Sequence, residues 1–178
     1  MRLEAPRLRL RPLGVGDLGW VHPLNMAPDT RLYVFDDASW TPEETMSRLL
    51  APNEALWARE GLGLFAVEVP GAASPAGWCG FWYFHVPPVR EVGFAIDPTH
   101  RGHGYAAEAA RAVMAFGAAI HGDTRFQASA DVPNAASRRI LASLGFAETH
   151  RAMGRVHEVA YYAREAAGLR VDDIVVHR

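Results

Sequence analysis

The chain has no lysine: its 18 Lys and Arg positions are all arginine, set against 20 acidic residues, so 178 residues carry a formal charge of only -2. That balance supplies no general basic field for nucleic acid or an anionic membrane, so neither is expected as a partner and any anion site must be built locally. The lack of lysine also excludes a phosphate-binding loop ending in Gly-Lys-Ser/Thr, and with it the usual basis for ATP hydrolysis. Cysteine is nearly absent as well. The lone Cys79 rules out an internal disulfide framework, and without an obvious histidine partner it disfavours a route through an acyl-cysteine. No run reaches the roughly 18 uninterrupted apolar residues of a membrane span, and Met1-Arg2-Leu3-Glu4 lacks the apolar stretch of a signal peptide. A cytoplasmic protein is expected. There is no internal repeat.

With 49% apolar residues, the chain is of a size for one domain, residues 1–178, around a sizeable core. Leu8-Arg9-Leu10-Arg11 alternates apolar and basic side chains and predicts a first strand. From about Asp17 to Glu60 the pattern reads as helical pieces broken by Pro23, Pro28, Pro42 and Pro52, with Thr41-Pro42-Glu43-Glu44 as a helix start. Leu62–Val69 and Ala76–Phe84 flank a Pro-Gly-Ala-Ala-Ser-Pro turn and predict an antiparallel hairpin. A third strand, Glu91–Ile96, leads through Asp97-Pro98 into a glycine-rich loop. A helix follows with Ala106, Ala109, Ala110, Val113 and Gly117 on one face, Glu108 and Arg111 facing solvent, and Gly122 at its end. Arg125–Ala130 predicts a strand. Pro133-Asn134 opens a helix with Ala136, Ile140 and Leu144 on one face, and Phe146–His150 and Val156–Ala163 complete the sheet. The fold class expected is mixed α/β (α+β), with a mainly antiparallel first half.

Arg101-Gly102-His103-Gly104-Tyr105-Ala106 stands between a strand and a helix, where main-chain N–H groups lack intrahelical partners and the helix dipole is positive. Glycines at 102 and 104 remove the β-carbons that would hold an anion away, so the loop suits a diphosphate, and Arg101 adds a charge. Taken alone, the loop is equally a ligand-free turn. Gly102-x-Gly104-x-x-Ala107 also satisfies a dinucleotide fingerprint, with Asp131 as a ribose-binding acid, but that fingerprint follows an early strand of a parallel sheet and here a hairpin precedes it.

Arg101-x-x-Gly104-x-Ala106 resembles the Gln/Arg-x-x-Gly-x-Gly/Ala cofactor motif of the GCN5-related N-acetyltransferase (GNAT) superfamily. Asn134-Ala135-Ala136-Ser137, running to Leu144-Gly145-Phe146, resembles the Asn-x-x-Ser helix and Leu-Gly-Phe ending of its ribosomal-protein-alanine N-acetyltransferase (RimJ/RimL)-like branch. Glu91-Val92-Gly93-Phe94-Ala95-Ile96 and His157-Glu158-Val159-Ala160-Tyr161-Tyr162 are similar to that branch's strand before the loop and its final strand. The resemblance spans about residues 7–163. It implies a central sheet splayed in its middle and flanked by helices, with the diphosphate of acetyl-CoA on Arg101, Gly102, His103, Gly104, Tyr105 and Ala106. By the same resemblance, the pantetheine arm lies along the N–H groups of Phe94, Ala95 and Ile96, which also polarise the thioester carbonyl.

Strand alternation sets Glu91, Gly93 and Ala95 opposite Val92, Phe94 and Ile96, so Glu91 is expected to face a channel. A carboxylate there suits the base that takes a proton from an attacking amine; the bland alternative is a strand-end ion pair with Arg90 or another arginine. Ser137, one turn inside Asn134, is the expected acid for the leaving thiolate, and Asn134 the partner of the pantetheine amides; helix capping is their alternative role. The tyrosine found on this helix in the wider family is replaced by Leu141, which favours Ser137. His150 is a second position for the base. His100-x-x-His103 lacks further ligands at recognisable spacing, so no metal is expected. Trp20, Tyr33, Phe35, Trp40, Trp82 and Tyr83 fall where the family builds its acceptor pocket. The expectation is direct transfer from acetyl-CoA to a primary amine, such as a protein N-terminus or a small-molecule amine, by a monomer or homodimer. The alternatives are a non-catalytic CoA-binding or regulatory module and an NAD(P)-dependent oxidoreductase.

Overall fold

Short alternating segments and one long amphipathic helix set the layers of this computed structural model, which describes residues 1–85, 88–169 and 174–177. Strands β1 (Arg2–Glu4) and β2 (Arg9–Pro12) pair antiparallel with Leu3 opposite Leu10, both fully buried, while the arginines between them face outward. The predicted first strand is thus the second; β1 is too short for three residues to show a period of two.

Helices α1 (Leu18–Met26) and α2 (Pro28–Val34) follow, then α3 (Pro42–Thr45), which passes through a π-turn at Met46–Leu50 into α4 (Ala51–Glu60). Thr41 caps α3 reciprocally with Glu44, as its sequence predicts. Pro28 and Pro42 start helices, but Pro23 and Pro52 do not break them: Pro23 lies inside α1, and Pro52 sits just after the π-turn. The wider π-turn shifts the hydrogen-bond register where proline has no N–H to give.

Hairpin β3 (Leu64–Glu68) and β4 (Gly77–Tyr83) forms as expected and continues antiparallel into β5 (Arg90–Ile96). Two layers cover it. On one face α5 (Tyr105–His121) packs Ala109, Ala110, Val113 and Phe116 against Phe65, Phe81 and Val92. Its alanines let the helix axis approach the sheet, and each large apolar side chain buried there contributes about 1.5–3 kcal/mol. On the other face, Val21 and Leu24 of α1 with Leu49 and Leu50 of the π-turn cover Leu64, Ala66, Trp78 and Ala95. Gly122 ends α5 in the left-handed region, at φ 70°.

The next strands form no ladder with that sheet, in keeping with the splayed sheet that the family resemblance implies. β6 (Arg125–Asp131), β7 (Ala147–Met153) and β8 (Glu158–Glu165) form a separate antiparallel sheet in the order β6-β8-β7, with α6 (Ala135–Ser143) between β6 and β7. The first sheet has six strands in the order β5-β4-β3-β2-β1-β9, where β9 (Val175–His177) pairs with β1. β5 and β6 share no ladder. Side chains cross the split instead: Ser129 of β6 bonds Glu91 of β5, the rings of Phe81 of β4 and Phe126 of β6 stack with centroids 6.1 Å apart, and Arg90 of β5 pairs with Asp123 just before β6. The sheet is therefore split between β5 and β6, and its antiparallel first half excludes the parallel dinucleotide fold.

Candidate functional site

Beside the split lies a cavity of about 700 Å³. Phe94, Ala95 and Ile96 at the end of β5 form one wall, and Asp29, Thr30, Tyr33 and Val34 of α2 form another. Arg101, Gly102, Gly104, Tyr105 and Ala106 supply the floor, and Asn134 to Ser137 with Arg139, Ile140 and Ser143 of α6 close the far side. Two sequence segments that share no contact along the chain, the glycine loop and the Asn-x-x-Ser helix, thus meet across one space.

The loop begins with a short turn over Pro98–His100, where the Asp97 carboxylate accepts the N–H of Thr99 at 2.9 Å. Gly102 and Gly104 then adopt φ of +80° and +78°, a region that costs other residues about 1–2 kcal/mol. A β-carbon at Gly102 would meet nothing within 4 Å. Gly104 is the N-cap of α5 and offers no side-chain cap, so the N–H groups of the first turn are left for an anion.

Arg101 donates from Nε to the Ile96 carbonyl at 3.0 Å and from Nη1 to Asp29 at 2.9 Å, so it ties the loop to β5 and α2. Glu108, expected to face solvent, is buried: Oε1 accepts the main-chain N–H of Arg7 and Oε2 its Nε–H, both at 2.7 Å. Arg7 also donates to the carbonyl of His103 at 3.1 Å. This clamp braces the loop from behind, because a carboxylate at the first turn of α5 favours the dipole and draws the guanidinium in. Within Arg101 to Ala106, His103 alone is off the cavity wall; its ring stacks on Tyr105 with centroids 5.4 Å apart.

Asn134 caps α6 by accepting the N–H of Ser137 at 3.1 Å, so the bland role foreseen for Asn134 is real and coexists with its place on the cavity wall. Ser137 lines the same wall one turn further on.

Glu91 is not on that wall. Only 3% exposed, it lies at the split, where the Ser129 hydroxyl of β6 donates to its Oε2 at 2.5 Å and His85 Nε2 stands 3.6 Å from its Oε1. The open channel expected at Glu91 is filled by these two side chains. Arg90 is spent on Asp123, so the strand-end pair weighed for Glu91 does not form. Burial pushes the Glu91 carboxyl above its usual range, against the opposing hydrogen bond from Ser129 and the charge of His85.

A second buried carboxylate, Asp131, is also raised by burial; it meets His157 Nδ1 at 2.9 Å. That contact occupies the acid weighed as a ribose ligand. His157 in turn faces the ring of Tyr33, with centroids 5.9 Å apart. His150 stacks on Tyr161 at 4.5 Å, and Tyr161 lies 5.3 Å from the ring of His85. Of the aromatic residues placed in the acceptor region, Tyr33 reaches the cavity, Phe35 and Trp40 pair with each other at 4.5 Å, and Trp82 packs in the core. Sequence reasoning named Tyr33 but missed its neighbours Asp29, Thr30 and Val34 on the α2 wall, and it gave no role to Ser129 or His85. No pattern pointed to them, since each acts through a neighbour more than 35 positions away.

A family model described as an acetyltransferase (GNAT) domain matches residues 7–147. No curated protein matches the chain. Among solved structures, one from Bordetella pertussis described as of the GNAT acetyltransferase family superposes with a TM-score of 0.79 at 22% identity, covering 92% of this chain and 99% of its own. The ribosomal L7/L12 alpha-N-protein acetyltransferase RimL, solved with coenzyme A, gives 0.75 at 20%, covering 90% and 95%. Ribosomal-protein-S5-alanine acetyltransferase from Vibrio fischeri gives 0.73 at 18%, covering 96% and 99%. At these identities the likeness is one of fold.

Proposed function

The chain belongs to the acetyltransferase (GNAT) domain family, and from that premise we propose that it transfers an acetyl group from acetyl-CoA directly to a primary amine. The observation that carries this reading is the shared cavity, where the glycine loop, the end of β5 and the start of α6 converge. The space fits the donor. Glycines in the left-handed region open the loop, and the uncapped first turn of α5 presents N–H groups at its floor.

In this reading the N–H groups of Gly102, His103, Gly104, Tyr105 and Ala106 hold the diphosphate, Arg101 keeps the loop against β5, and Phe94 to Ile96 orient the thioester arm. Asn134 and Ser137 face them from α6. The amine nitrogen bonds to the thioester carbon as the carbon–sulfur bond breaks; the amine's proton goes to Glu91, and Ser137 returns a proton to the thiolate. A raised carboxyl pKa suits Glu91 to receiving that proton. We read the chain as one acetyltransferase domain. The α-amino acceptors in the names of two fold neighbours make peptide N-termini the first acceptors to try.

Thermal unfolding with acetyl-CoA, CoA, NAD and ATP tests the donor, since a ligand of the native state raises its stability. Thiol release from acetyl-CoA, with peptides beginning in Ala or Ser, a lysine side-chain peptide and spermidine, tests transfer. Stabilisation by acetyl-CoA with turnover of one acceptor supports the proposal. Binding without turnover of any acceptor favours a CoA-binding regulatory module, and stabilisation by NAD alone overturns the donor assignment.

A further inference from the structure

Eleven arginines form ion pairs with acidic residues among the described residues, yet none of them meets the buried carboxylate at the split. Glu91 of β5, Ser129 of β6 and His85, just beyond β4, form a chain of contacts: Ser129 Oγ donates to Glu91 Oε2 at 2.5 Å, and His85 Nε2 lies 2.9 Å from Ser129 Oγ. The three differ in access. Glu91 is sealed at 3% exposed, whereas the His85 side chain keeps 32%.

The direction of these bonds is set by chemistry. A Ser129 hydroxyl that gives its hydrogen to Glu91 has only lone pairs left for His85, so His85 carries a hydrogen on Nε2, and in the neutral ring Nδ1 is then the acceptor. Other groups face this chain from each neighbouring strand. Tyr161 of β8 covers His85, with His150 of β7 stacked behind it, and Asp131 of β6 is bonded to His157. Asp131 stands two positions along β6 from Ser129, and its partner His157 faces Tyr33 on the wall of the donor cavity.

Resting on the reading of Glu91 as the destination of the amine's proton, we propose that His85 is the catalytic group that touches the acceptor amine, and that Ser129 passes the proton inward. As the nitrogen bonds to the acyl carbon, its N–H bond breaks and the proton goes to His85 Nδ1. The Nε2 proton of His85 moves to Ser129 Oγ while the hydroxyl proton of Ser129 moves to Glu91 Oε2. Glu91 ends as the acid, His85 as the neutral Nδ1–H form, and Ser129 unchanged. Reversal of the same path returns the proton to solvent at His85. The relay gives a sealed carboxylate a partly exposed group through which to take the acceptor's proton.

The test uses the full chain with acetyl-CoA and whichever of the Ala peptide, Ser peptide, lysine peptide and spermidine turns over fastest. Glu91→Gln, Ser129→Ala and His85→Gln are each expected to lower kcat at least tenfold, with the KM for acetyl-CoA unchanged. Ser129→Thr, which keeps the hydroxyl, is expected to stay within about threefold of wild type. Rates in mixtures of light and heavy water should bend downward for the wild type, because several protons move together, and become linear in Ser129→Ala. Unfolding midpoints with acetyl-CoA confirm that each variant is folded. A loss in Glu91→Gln alone, with Ser129→Ala and His85→Gln within twofold of wild type, overturns the relay and leaves Glu91 as base. No loss in any of the three overturns both, as does a wild type that turns over none of the four acceptors. Equal loss in Ser129→Thr and Ser129→Ala assigns Ser129 to packing and overturns the relay.

Discussion

A single charge placed in the glycine loop separates a diphosphate site from a bare turn. Gly102 lies on the cavity wall at φ +80°, and open space surrounds the position of a β-carbon there. Asp and Asn are the side chains that best tolerate that backbone region, so Gly102→Asp and Gly102→Asn should fold with the same modest loss, about 1 kcal/mol. They differ only in charge. A carboxylate about 5 Å from one diphosphate charge is repelled by roughly 3 kcal/mol at an effective dielectric of about 20, which is about a hundredfold in Kd. At acetyl-CoA one hundred times the wild-type Kd, binding stabilises the native state by about 2.7 kcal/mol, or roughly 5–10 °C for a chain of this size. Gly102→Asn should keep most of that rise. In Gly102→Asp the same concentration leaves about 0.4 kcal/mol, a shift of roughly 1 °C, as read by scanning calorimetry or dye-monitored unfolding. Equal rises in the two variants would refute the placement of the diphosphate on this loop.

Glu91→Gln should raise stability in a pH-dependent way. The folded carboxyl titrates above its unfolded value, so the native state bears no penalty while both states are protonated and the full penalty once pH exceeds the folded pKa. The gain in Tm over wild type should therefore be small at pH 4 and larger at pH 8; a constant gain would contradict the burial argument. Arg7→Ala leaves the buried Glu108 with the main-chain N–H of residue 7 but no guanidinium, and because Arg7 is half exposed the loss should be about 1–2 kcal/mol, with acetyl-CoA affinity by calorimetric titration weakened severalfold. Gly80→Ala sets a β-carbon 2.3 Å from the Gly63 carbonyl oxygen and 2.5 Å from Leu64 Cα, backbone that cannot step aside; denaturant titration should show a loss of about 3 kcal/mol. Cys79 is fully buried among Phe65, Phe81 and their neighbours, and burial pushes its thiol far up, so Cys79→Ala should keep the transfer rate and lose about 1 kcal/mol of stability; a large fall in rate would revive an acyl-cysteine route.

Much of the fold was legible where a local pattern carries its own geometry. The hairpin announced itself through two apolar runs rich in aromatic residues and a proline-glycine turn, α5 through alanines at helical spacing and Gly122, and α6 through Asn134 and Gly145. What failed was longer in range. Pro23 and Pro52 looked like breaks because the π-turn that accommodates Pro52 has no signature in composition. Glu108 looked solvated because its spacing from Arg111 suits an exposed pair, and its true partner, Arg7, lies 101 positions away.

The sequence alone determined the glycine loop, the capped helix and the order of the elements, because each depends on backbone preferences of adjacent residues. Only the tertiary structure decided that α2 would wall the cavity, and that Glu91 would lie behind Ser129 and His85 instead of facing an open channel. Those outcomes follow from side chains packing across a split between two sheets, where the free energy of burial and pairing depends on partners that no local window of sequence contains.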